Sequence, residues 1–97
     1  MQEPVFPKDE LNRMKQQLKL LAERSLDRNG LSHSFLETEL ESGELRINGN
    51  SFGLLDLAVE ILDIAAKDFT GAHIHLDDTV MIGRCDMPVV FALKNAE

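Results

Sequence analysis

The chain has 97 residues, one cysteine and a net charge of −7, with 43% hydrophobic and 28% charged residues. That length fits one domain with a single core, and the balance is that of an ordinary globular chain. No apolar run approaches the ~20 residues that span a bilayer, one cysteine closes no internal disulfide, and an acidic chain repels nucleic-acid phosphates, so neither membrane nor nucleic acid is an expected partner.

Residues 1–7 hold two prolines and read as an extended arm. Residues 8–28 read as a helix, with Pro7 suited to its first turn. Leu11, Met14, Leu18, Leu21 and Ser25 recur three and four apart, with Ala22 beside them and Lys, Arg, Gln and Glu between. The pattern is amphipathic, and Asn29-Gly30 stops it. Residues 34–41 alternate: Leu36, Thr38 and Leu40 face one way, Phe35, Glu37, Glu39 and Glu41 the other. This predicts a strand with one buried face. Ser42-Gly43 supplies a tight turn, and residues 44–48 alternate again through Leu45 and Ile47, completing a hairpin.

Asn48-Gly49-Asn50 breaks that strand and leads into a second helix over residues 52–68. Leu55, Ala58, Val59, Leu62, Ala65, Ala66 and Phe69 share one face, and Leu54, Leu57, Ile61 and Ile64 fill much of another. Only Asp56, Glu60, Asp63 and Lys67 are charged, and they form one narrow polar stripe. A helix this apolar is expected at the centre of the core, with Leu55 and Leu62 buried. Asn50 or Ser51 is placed to cap its start, and Gly71 permits the turn that follows it. Residues 72–77 predict a third strand, with Asp78-Thr79 as a turn. Val80, Ile82, Val89, Val90, Phe91 and Leu93 supply one or two more, interrupted at Pro88. The order is helix, strand, strand, helix, strand, strand. It predicts an α+β fold: a mostly antiparallel sheet of about four strands, a central buried helix and an N-terminal amphipathic helix. Residues 1–97 form one domain, divided into an arm over 1–7, a helix over 8–28 and an α+β core over 34–94.

Chemistry-bearing residues are few. His73, His75 and Asp77 share a strand face, and imidazole with carboxylate is a metal-ligating combination. No further ligand is evident on a neighbouring strand, so the alternative of a polar, solvent-facing half-strand carries more weight and no bound metal or other cofactor is expected. Cys85 has no flanking nucleophile signature and reads as a small core residue. No glycine-rich phosphate loop is present. Without tyrosine or tryptophan, the chain has no obvious platform for stacking bases. It is not expected to be an enzyme.

Charge is placed unevenly. Residues 1–28 carry six Lys or Arg against five Asp or Glu, whereas residues 29–97 carry four against twelve, a net of −8. An acidic body suits a basic protein partner, a cation, or solubility alone. Glu37, Glu39, Glu41, Asp77 and Asp78 lie on outward strand faces or turns and are the candidate partner-binding residues; the polar stripe of the central helix is the reserve candidate.

Residues 47–77 resemble the immunity protein 32 family of bacterial polymorphic-toxin and contact-dependent inhibition systems. The matching parts are Asn48-Gly49-Asn50, the run from Gly53 to Ala58, the apolar helix through Ile64, and the run from Gly71 through His73 and His75 to Asp77, with a closing apolar strand over 88–93. The resemblance covers about half the chain and excludes residues 1–28. It implies a cytoplasmic, non-catalytic protein that binds a cognate toxin, often a nuclease with a basic cleft, and neutralises it. A cytoplasmic location also fits the lone cysteine and a chain start without a signal-peptide pattern. The alternative is a small metal- or ligand-binding accessory domain using His73, His75 and Asp77. The helix over 8–28 is the candidate surface for pairing two copies.

Overall fold

Among the described residues, two helices and four strands follow one another in the order that the periodicity predicts. They are α1 (Lys8–Glu23), β1 (Leu36–Glu41), β2 (Glu44–Gly49), α2 (Ser51–Ala65), β3 (His73–Leu76) and β4 (Val89–Ala92). This computed structural model describes residues 5–24, 33–77 and 83–94. The arrangement is α+β, as expected. The four strands form two antiparallel pairs, β1 with β2 and β3 with β4, rather than one continuous sheet.

The first pair is closed by a two-residue turn. Ser42 and Gly43 both have positive φ, 53° and 78°. That matches the right-handed twist of the flanking strands and sets Glu41 opposite Glu44. The far edge of β1 is also occupied. Thr38 N–H donates to the Arg84 carbonyl at 2.9 Å, and Asp86 N–H donates to the Thr38 carbonyl at 3.1 Å. The short stretch around Cys85 therefore runs parallel to β1 as a bridge. Thr38 has no solvent exposure; its hydroxyl donates to the Met87 carbonyl at 2.9 Å. Beyond Pro88 the chain enters β4, so the expected break falls between the bridge and that strand. The expected strand residues Val80 and Ile82 lie outside the described residues.

Asn50 fastens β2, α2 and the approach to β1 together. Its side-chain oxygen accepts from Gly53 N–H at 2.8 Å, capping α2, and from Phe35 N–H at 2.9 Å. Its amide donates to the His33 carbonyl at 2.8 Å, and its own N–H donates to the Phe35 carbonyl at 3.2 Å. Gly49 and Gly53 let this crossing happen, because a Cβ at either would press on the Phe35 backbone. The Asn-Gly-Asn run and the following glycine thus have an architectural role.

Leu57 and Leu76 form the centre of the core, with Leu36, Ile47, Ile74, Cys85, Val89 and Phe91 packed around them. Val59 and Ile64 are buried on other sides of α2. Cys85 takes the core position expected of it. Leu55 and Leu62 are half-buried rather than buried.

α1 turns a slightly different stripe inward than the apolar spacing predicts. Lys8, Leu11, Lys15, Leu18 and Ala22 are half-buried, whereas Met14 and Leu21 are exposed. The cause is electrostatic. Lys15 Nζ meets Asp63 Oδ1 of α2 at 3.1 Å, and Lys8 pairs with Asp68 just beyond it. The Lys15 stem covers apolar surface while its ammonium finds the carboxylate. α1 ends at Glu23; residues 25–28 and the expected stop at Asn29-Gly30 lie outside the described residues.

Candidate functional site

An open groove of about 570 Å³ lies between α2, β3 and the start of β1. α2 contributes Gly53, Asp56, Leu57 and Glu60, which recur on one helical face. β3 and the bend after it contribute His73, Ile74, His75, Leu76 and Asp77, while Ser34 and Leu36 close the third side. Leu36, Leu57, Ile74 and Leu76 give the groove an apolar floor. Asp56, Glu60 and Asp77 bring three carboxylates to it, and among the described residues no Lys or Arg lines it. Its size and make-up, apolar with a few convergent polar groups, make it the candidate site.

The acidic residues of the chain are in very different situations. Asp63 is bound by Lys15 and approached by Lys67 at 3.8 Å. The Lys15 hydrogen bond is the largest cause holding its carboxyl below the usual carboxylate range. Asp86 is also held low, first by the Arg84 guanidinium at 2.6 Å and then by the Leu40 N–H. In contrast, Asp56 and Glu60 have no ion-pair partner among the described residues. They stand one helical turn apart, a like-charge spacing that costs a few tenths of a kcal/mol in a helix.

The expected partner-binding row divides. Glu37 is half-buried and accepts from Asn48 Nδ2 at 3.2 Å. Glu39 faces Arg84 at 3.4 Å. Glu37 is engaged by its cross-strand neighbour on β2, and Glu39 by the guanidinium that the stretch around Cys85 brings alongside β1. Glu41 is exposed at the hairpin end. Asp77 lines the groove, and Asp78 lies outside the described residues.

His73 and His75 are exposed on one side of β3, their rings edge to face with centroids 4.8 Å apart. His73 Nδ1 lies 2.7 Å from the Gly71 carbonyl. Among the described residues no three His, Cys, Asp or Glu side chains converge as metal ligands would. Asp56 and Glu60 are the groove residues that the strand alternation did not single out. The available signal was their place on the only polar stripe of an otherwise apolar helix.

No family model, curated protein or solved structure matches the chain. Among the described residues no helix is long and apolar enough to cross a membrane.

Proposed function

We propose that this chain is a non-catalytic, cytoplasmic binding protein that neutralises a basic toxin domain, as an immunity protein does, and that the groove between α2 and β3 takes part in the contact. The observation that carries this reading is the gathering of Asp56, Glu60 and Asp77 around an apolar floor, with no Lys or Arg among the described lining residues. A surface of this kind attracts lysines and arginines and gives their aliphatic stems somewhere to pack. The −8 carried by residues 29–97 would steer a basic partner from a distance. Nuclease toxins present such basic clefts, and the resemblance of residues 47–77 points the same way.

The test is co-expression with the toxin domain encoded beside this gene. Growth should be rescued by the chain and not by an empty vector. Absence of an adjoining toxin, or no rescue at matched expression, would overturn the proposal.

A second copy is a further candidate partner, because Met14, Leu20 and Leu21 are exposed on α1. Light scattering of the wild type and of Met14→Lys/Leu21→Lys would decide it. A dimer lost in the variant supports α1 pairing, and a monomer in both removes it.

A further inference from the structure

We propose that the open edge of β3 accepts an extended basic segment of the partner as an added strand, with its Lys or Arg side chains meeting Asp56 and Glu60 across the groove. This rests on the reading of the protein as a binder of a basic toxin and specifies how the segment is held.

The backbone parity of β3 carries the first half of the argument. β3 pairs with β4 along one edge, His73 opposite Ala92 and Leu76 opposite Val89. Leu93 N–H donates to the Ala72 carbonyl at 2.8 Å, so the main chain of Ala72 faces β4. Main-chain groups alternate in direction along a strand, so Ile74 and Leu76 also face β4, and His73 and His75 face away. Outside the β3–β4 pair, no described residue hydrogen-bonds to the main chain of His73 or His75. Among the described residues, their two N–H and two C=O groups therefore form an open edge.

The groove lies against that edge. A strand seen face-on contributes alternate residues to a surface, yet all five of His73, Ile74, His75, Leu76 and Asp77 line this one. The strand is thus presented edge-on. An incoming strand would complete main-chain bonds to His73 and His75, the strand-addition mode of peptide recognition. Alternate side chains of that strand would point towards α2. There they meet Leu57, which packs an aliphatic stem, and Asp56 and Glu60, which lack a cationic partner among the described residues. Long cationic side chains fit this combination, whereas acidic ones are repelled. The same repulsion opposes two copies pairing through this edge.

The probe is a capped seven-residue peptide alternating Val and Arg, titrated into the full chain with amide exchange followed by NMR. Binding should slow exchange at His73 and His75 by about tenfold or more at saturation. Methylating the peptide nitrogens that face β3 should weaken binding by about tenfold, as should Asp56→Asn/Glu60→Gln at low salt. Replacing Arg with Glu in the peptide should abolish it. Absence of binding at millimolar peptide, binding without slowed exchange at His73 and His75, or equal binding of the methylated peptide would each overturn strand addition. So would exchange at these amides that slows with protein concentration alone, which would mean that a second copy occupies the edge. Rescue in co-expression separates the two levels: rescue with a failed peptide test leaves the immunity reading standing and removes only this mode of binding.

Discussion

Gly53→Ala reverses the usual expectation for a helix. Gly53 lies in the first turn of α2, where replacing Gly with Ala ordinarily stabilises by roughly 0.5–1 kcal/mol. Here the added Cβ would sit 1.9 Å from the Phe35 carbonyl oxygen, 2.7 Å from its carbon and 3.0 Å from its nitrogen. These are backbone atoms and cannot swing aside. The segment before β1 would have to withdraw by about 1 Å, and a well-packed contact resists such a shift. Three hydrogen bonds hold that segment to Asn50: Phe35 N–H to its side-chain oxygen, its amide to the His33 carbonyl, and its N–H to the Phe35 carbonyl. At roughly 0.5–1.5 kcal/mol each, their loss costs about 1.5–4.5 kcal/mol. After the propensity gain, the variant should be less stable by about 0.5–4 kcal/mol. Urea unfolding followed by circular dichroism measures this directly. A variant as stable as the wild type, or more so, would refute the close approach of Phe35 to α2.

Three further outcomes follow from the packing. Thr38→Val removes a hydroxyl with no solvent exposure that satisfies the Met87 carbonyl, and should cost ~1–3 kcal/mol in the same assay. Leu57→Ala, at the core centre, should cost ~2–5 kcal/mol, clearly more than Leu62→Ala at its half-buried site, which tests the placement of the core. Asp63 is held low in the folded state, first by its hydrogen bond to Lys15, so its contribution is present above the unfolded pKa and is lost as pH falls through the lower folded value. The stability gap between wild type and Lys15→Gln should therefore narrow as unfolding is measured from about pH 6 down to about pH 2.5. A constant gap would remove Asp63 as its source.

Much of the architecture is legible in the residues themselves. Period-2 alternation in 34–41 and 44–48, with Ser42-Gly43 between, specifies a hairpin, and the dense apolar pattern around Leu57 specifies a core helix, although Leu54 and Ile61 on it are exposed. The division into two strand pairs was not legible, because alternation says which face is buried and not which edge finds a neighbour. The rotation of α1 was hidden for a related reason. Apolar spacing ranks Met14 above Lys15, but Asp63 on the facing helix reverses the order. Likewise, the glutamates at 37 and 39 look like an outward row until Asn48 on β2 engages the first and Arg84, far off in sequence, pairs with the second. The groove was half legible. His73, His75 and Asp77 stood out by spacing, while Asp56 and Glu60 joined them only through the packing of α2 against β3.

Association kinetics with the toxin domain found by rescue test the central claim, that a basic partner is received at the groove. The rate would be measured at low and high salt for the wild type, for Asp56→Asn/Glu60→Gln, and for Glu37→Gln/Glu39→Gln, whose carboxylates are engaged within the chain. The groove variant should associate several-fold more slowly at low salt, with the difference shrinking at high salt, while the strand variant stays close to wild type. Equal rates for the groove variant and wild type at low salt would contradict the account.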